Sequence, residues 1–206
     1  MKRQSIACCM ALLVTAALAQ SKASPKPSPN TASLSVTLKL IQDKVNAQGE
    51  INYTMISEST VDGHTVEDRY TVKTSHALAD PTSCAMQVDA KMTMNGKTQR
   101  QGRAAIQFRD TTALAIKSQT IAIEEQSARA GVTAWKGKIT PESFMIQTFH
   151  SGSLSGILFF RERATAEDVG KAISQVVEQC GGGEVHLLKV FTATPWFAST
   201  GDKSRL

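Results

Sequence analysis

The sequence predicts an α+β domain: an N-terminal helix, about seven antiparallel strands forming a bent sheet or barrel, and a C-terminal helix that caps it. Three observations lead there. An apolar stripe at helical spacing opens the body. The periodicity then changes to two, punctuated by Asp-Gly and Asn-Gly turns, and a second amphipathic stretch ends at a run of glycines. Successive hairpins flanked by helices describe an antiparallel sheet with one buried face.

Leu34, Leu38, Ile41 and Val45 recur at intervals of 4, 3 and 4 and make one face of a helix over residues 33–48. Asp43, Lys44 and Gln48 fall off that face, and Gly49 stands where a left-handed C-terminal cap is wanted. Ile51, Tyr53 and Met55 then alternate with polar residues in a strand running toward Val61. Asp62-Gly63 suits a tight hairpin turn, because both central residues of that turn need positive φ. A return strand over 64–75 and a loop at Ala79-Asp80-Pro81-Thr82 follow. Cys84, Met86, Val88, Ala90, Met92 and Met94 alternate cleanly, Asn95-Gly96 turns the chain, and residues 97–109 return. Shorter strands are expected at 113–117, 120–125, 133–139, 144–149 and 156–161. In the last helix Thr165 is the expected cap, Glu167 and Asp168 suit its N-terminus, and Val169, Ile173, Val176, Val177 and Cys180 form its apolar face up to Gly181.

The ends read differently from the body. Lys2 and Arg3 precede a 14-residue apolar and small-residue run, 6–19, that closes on Ala17-Leu18-Ala19. This is the pattern of a signal peptide cleaved before Gln20, and the run is too short for a comfortable membrane span. Cys8 and Cys9 lie at its start, whereas a lipid-attachment cysteine follows such a run. Pro25, Pro27 and Pro29 alternate with polar residues, which favours extended, solvated chain. The expected organisation is a signal peptide over 1–19, a Pro-rich spacer over 20–32, one domain over 33–183 and a tail over 184–206. The tail holds Leu187, Leu188, Val190, Phe191, Trp196 and Phe197, apolar enough either to lie on the body or to add a strand. The expected location is the periplasm or the exterior, with no membrane-spanning segment after cleavage.

Within residues 50–180, the closing stretch GILFFRERATAEDVGKAISQVVEQCGG resembles the last strand and helix of the pleckstrin-homology-like fold. That resemblance implies a strand meander capped by one helix, and binding of phosphoinositides, peptides or proteins; a fold alone does not choose among these. The basic phosphoinositide motif between the first two strands is missing here, where the turn is Val61-Asp62-Gly63-His64, so headgroup binding is not carried over. The motifs TLKLIQDKVNAQGEINY and AISQVVEQCGGG are also similar to an uncharacterised family of exported bacterial proteins, which implies no activity.

Two cysteines remain after cleavage, Cys84 and Cys180. In an exported chain the leading reading is a disulfide tying the final helix to a strand; two free thiols or a catalytic cysteine are the rivals. His64, His76, His150 and His186 are spaced without any metal-binding pattern, and no metal or cofactor is expected. Gly152-Ser153-Leu154-Ser155-Gly156 has Leu where a nucleophile elbow has Ser, and reads as a hairpin loop. Gly181-Gly182-Gly183 follows a helix, whereas phosphate cradles open one. Glu67-Asp68 and Glu124-Glu125 are adjacent pairs that a strand would point to opposite faces.

One basic cluster stands out. The strand 97–109 carries Lys97, Arg100, Arg103 and Arg109, and simple parity puts Lys97, Arg103 and Arg109 on one side as candidate anion contacts. The blander reading, an edge strand kept from aggregating by its charges, is favoured.

The whole chain has 206 residues, a net charge of +5 and a pI near 9.1, which invites a nucleic-acid reading. Lys2, Arg3, Lys22, Lys26, Lys189, Lys203 and Arg205 lie outside residues 33–183, as do Glu184 and Asp202, leaving 16 basic and 16 acidic residues inside. The body is neutral and has few aromatics among its cations, so no nucleic acid is expected as partner. With no nucleophile, base and orienter in view, the expectation is a non-enzymatic exported protein that binds a protein or peptide in the cell envelope. The runner-up is a carrier of an apolar small molecule or lipid, with Met86, Met92, Met94, Ile106 and Phe108 lining a cavity.

Overall fold

The computed structural model describes residues 31–58, 64–129 and 137–191. The signal segment, the spacer up to Asn30, the Asp62-Gly63 turn and the tail beyond Phe191 lie outside the described residues, and the last two spacer residues open α1. The elements run α1 (Thr31–Gln48), β1 (Glu50–Glu58), β2 (Thr65–Asp80), β3 (Ala85–Met94), β4 (Lys97–Gln107), β5 (Ala113–Ser118), α2 (Gln119–Arg129), β6 (Gly137–Thr140), β7 (Phe144–His150), β8 (Ser153–Phe160), α3 (Arg163–Gln179) and β9 (His186–Val190). The class is α+β with helices at both ends of the body, as expected. The strands form two sheets, ordered β4-β3-β2-β1-β6 and β8-β7-β5-β9, and do not close into a barrel.

Helix α1 buries Leu34, Leu38, Ile41 and Val45, and Gly49 takes the left-handed conformation (φ 59°) that lets β1 start at once. Beyond Lys73, strand β2 has outrun β1 and its backbone needs other partners. Helix α1 supplies them. Asn46 donates from Nδ2 to Ala77 O (3.1 Å) and accepts from Ala77 N (2.8 Å), while Gln42 accepts from Ala79 N (2.9 Å). This clamp coincides with a bulge between Ser75 and Leu78, where His76 has φ 53°.

Residues 120–125, expected as a strand, belong to helix α2. Ile121 and Ile123 imitate a period of two, but Ala122, Glu124, Glu125, Gln126 and Ala128 are good helix formers. The free amides of the first turn are also satisfied. Ser118 Oγ accepts from Ile121 N (3.3 Å), and Glu142 accepts from both the amide (3.1 Å) and the hydroxyl (2.6 Å) of Thr120. The part of the expected 133–139 strand within the described residues is β6, at Gly137–Thr140. Helix α3 begins two residues before Thr165, with Glu162 at its N-cap and no side-chain cap bond. The open question of the tail is settled for its first part: β9 adds to β5 as a parallel edge strand.

Cys84 and Cys180 form a disulfide, with 5.9 Å between Cα atoms across 96 residues of sequence. It joins the chain just before β3 to the C-terminal end of α3, and Arg109 Nε donates to Cys180 O (3.2 Å) at the same corner.

Successive side chains of β8 enter two separate apolar compartments. On one side Leu158 and Phe160 join Met86, Val88, Ile106, Phe108 and the apolar faces of α1 and α3 in a fully buried core. On the other side Phe159 packs with Tyr53, Val72, Ile139, Tyr70, Met55, Met92 and Ile123 of α2. Several of these are only half-buried, and Leu154 and Ile157 on the same face of β8 are exposed. Tyr53 and Tyr70 stack here at 5.1 Å, and burial, then the neighbouring Tyr70, raises the Tyr53 phenol above its ordinary range.

Candidate functional site

The candidate surface is the outer edge of β4. This strand is at one end of its sheet, and ten of its eleven residues are exposed. Its C-terminal end is engaged from beyond the sheet. There Gly156 of β8 approaches so closely that a Cβ would lie 2.9 Å from Ile106 Cγ1 and 2.8 Å from Thr148 Oγ1. From Lys97 to Arg103 the edge has no strand neighbour among the described residues on its far side. This stretch carries Lys97, Arg100 and Arg103, and β4 contains no carboxylate.

The expected one-sided row of cations is not formed. Met94 pairs with Lys97 and Met92 with Arg100, so a bulge at Gln99 puts one extra residue into β4. Beyond it Asp89 pairs with Arg103, Val88 with Ala104 and Met86 with Ile106. Lys97 and Arg100 therefore share the inner face with Met92 and Met94, whereas Arg103 stands on the outer face. The physical reason is Ile106. Unbroken parity from the Asn95-Gly96 turn would point Ile106 at solvent, and the bulge brings it into the core, where it is 1% exposed. Arg109 lies past the end of β4 and is held at the disulfide corner.

Sequence reading missed what Arg103 meets. Its Nε donates to Asp89 Oδ1 (2.7 Å) and its Nη2 to Asp89 Oδ2 (3.1 Å), a two-pronged contact. His76, set forward by the β2 bulge, places Nδ1 3.3 Å from Asp89 Oδ2. The hydrogen bonds from Arg103, reinforced by the charges of Arg103 and His76, hold the Asp89 carboxyl below its ordinary value. Lys73, Lys91 and Gln101 complete a shallow depression of about 550 Å³ on this face, adjoined by one of about 410 Å³ over Ala77, Leu78 and Gln87. With one carboxylate among Lys73, Lys91, Arg103 and His76, the surface beside the β4 edge is electropositive.

The other sequence candidates are not brought together. His150 Nδ1 lies 2.7 Å from Asp110 O, and His186 is on β9. Among the described residues no three of His, Cys, Asp and Glu converge as a metal site. The hydroxyl of Ser155 is engaged with Thr148 Oγ1 and O, both at 3.0 Å. Glu125 contacts the buried Lys117 at 2.5 Å, and Glu67 contacts Arg69 at 3.3 Å. Met86, Ile106 and Phe108 fill the closed core, Met92 sits half-buried in the other compartment, and Met94 is half-buried at the end of β3. No helix among the described residues is long and apolar enough to cross a membrane.

No family model matches the chain, and no curated protein matches it. Among solved structures it is similar to the hSac2 domain from human phosphoinositide phosphatase Sac2, at 9% identity over 76% of this chain and 87% of that one, with a TM-score of 0.30. A superposition at that level carries no argument for this chain.

Proposed function

We propose that this is a non-enzymatic exported protein that binds an extended, acidic segment of another protein in the cell envelope by adding it to the free edge of β4. The observation that carries the reading is the strand itself: an open edge, exposed along almost its whole length, with three cations and no carboxylate. An extended segment laid on such an edge completes the hydrogen-bond ladder, and its side chains then meet those of β4. The charges decide which partner is accepted. Two copies of β4 repel each other, so the row of cations blocks self-association while it attracts a carboxylate-bearing strand. The electropositive depressions beside the edge act in the same direction. Export is supported by the signal-like N-terminus and by the buried disulfide, a bond that persists in oxidising compartments.

The test is an NMR titration with a blocked acidic peptide of about nine residues, long enough to span this stretch of edge. Expected are shifts and added amide protection confined to residues 97–104. A version N-methylated at alternate residues lacks the donors the ladder needs and should not bind. Shifts centred elsewhere, or binding indifferent to N-methylation, would overturn the reading.

A further inference from the structure

The bulge at Gln99 has a consequence for which segment the edge accepts. Arg103 points to the outer face and Arg100 to the inner face, with Gly102 and Gln101 between them in regular strand. An antiparallel segment that places residue j opposite Arg103 places j+1 opposite Gly102 and j+3 opposite Arg100. Residues three apart on a strand point to opposite faces, as these two arginines do. Arg103 spends Nε and Nη2 on Asp89, which leaves the Nη1 donors for a second carboxylate. A Cβ at Gly102 would meet nothing within 4 Å, so the inner face is open there, beside the half-buried Ala90 and Met92.

We propose that the partner segment carries the pattern acid, apolar, any residue, acid, with its first acid opposite Arg103, its apolar side chain over Gly102 and its second acid opposite Arg100. This rests on the strand-addition reading and adds register and specificity to it. A large side chain across from a strand glycine covers exposed backbone and packs on its diagonal neighbours, here the stem of Arg100 and Ala104. Two acids spaced j and j+2 would share one face, so one of the two arginines would go unmatched. The pattern distinguishes this edge from a generic basic surface, which responds to the number of carboxylates and not to their spacing.

The experiment compares two blocked peptides of identical composition in a Ser/Thr frame, one with the core Asp-Phe-Thr-Asp and one with Asp-Phe-Asp-Thr, titrated calorimetrically against the disulfide-bonded protein. The first should bind about fivefold more tightly, the size of one cross-strand charge pair. Arg103→Glu should weaken the first peptide, and replacing its first Asp by Lys should restore affinity to that variant. Arg103 is largely exposed, and unchanged circular dichroism would show that the variant folds. Equal affinity of the two isomers, with N-methylation still abolishing binding, overturns the spacing and leaves strand addition standing. No binding of either, or binding that survives N-methylation, overturns both.

Discussion

The compartments on either side of β8 use the same kinds of side chain and are closed in different ways. The one shared by α1 and α3 is sealed: Leu38, Ile41, Phe108, Phe160 and Val177 have at most 1% exposure, and the disulfide ties its rim. The one roofed by α2 is smaller and leaves Met55, Tyr70, Met92, Ile123 and Phe159 half-buried. It also has polar groups at its border. Gln119 Nε2 reaches Tyr53 Oη (3.3 Å), but Gln119 Oε1 and Ser143 Oγ are buried without a hydrogen-bond partner among the described residues. Buried polar atoms left unpaired cost stability, so this side contributes less than its apolar residues suggest. The first compartment holds the fold. The proposed binding edge belongs to the second, since Lys97 and Arg100 share a face with Met92 and Met94.

Adjacent phenylalanines test that contrast most sharply. Phe160→Ala empties a site with 0% exposure and should cost about 3–5 kcal/mol. Phe159→Ala removes the same atoms one residue away, from a half-buried position, and should cost about 1–2 kcal/mol. Urea unfolding of the two variants gives both numbers. Equal losses would mean that the α2 compartment is as well packed as the other, and the contrast would fail.

The disulfide comes next. Replacing Cys84 and Cys180 together by Ala should lower stability by about 2–4 kcal/mol, because a cross-link over a loop near 100 residues restricts the unfolded chain. Both half-cystines are buried, so part of the loss will be packing at the rim of the sealed compartment. Hydrogen exchange below the unfolding midpoint should show α3 opening more readily, with the β1–β2 ladder around Tyr53 unchanged. An increase spread evenly over both would show that the bond acts on the unfolded state alone.

Much of this contrast was legible in the sequence, and the failures have physical causes. The stripes of α1 and α3, the alternation of β3 and the cysteine pair all report burial directly, because each apolar period coincides with a core-facing side of its element. The candidate site was half legible. Arg103 could be named, but not Asp89 as its partner: counting back from the Asn95-Gly96 turn puts Gly102 opposite Asp89, and the bulge substitutes Arg103. A signal for that bulge was present. Ile106 and Phe108 have the wrong parity to face the core if Lys97 follows directly from Met94 across an unbroken ladder. Helix α2 was misread because its capping partners, Ser118 and Glu142, come from outside the window in which Ile121 and Ile123 alternate. The parallel docking of β9 rests on contacts with distant residues, to which local pattern is blind.

The smallest effect concerns what fastens β9 beside the sealed compartment. Glu167 on α3 accepts from Lys189 of β9 and from Arg163, both at 2.8 Å, and Arg163 lies 3.7 Å over the ring of Phe191. The hydrogen bond from Lys189, followed by that from Arg163, lowers the Glu167 carboxyl from an ordinary 4.5 to about 2. A carboxylate lowered on folding binds protons more readily in the unfolded chain. Its contribution is therefore complete above about 4.5 and is lost as the pH falls toward 2. The pair is solvent-accessible, which keeps the effect small and sensitive to salt. Amide exchange of residues 186–190, measured from pH 5 down to the acid limit of folding, should show β9 loosening relative to β5 across that window. Glu167→Gln should loosen β9 already at pH 5 and remove the pH dependence, while Arg163 stays over Phe191. A pH profile identical in the variant would assign the fastening of β9 to Phe191 and its edge-on contact with Phe144, leaving the ion pair without a part in it.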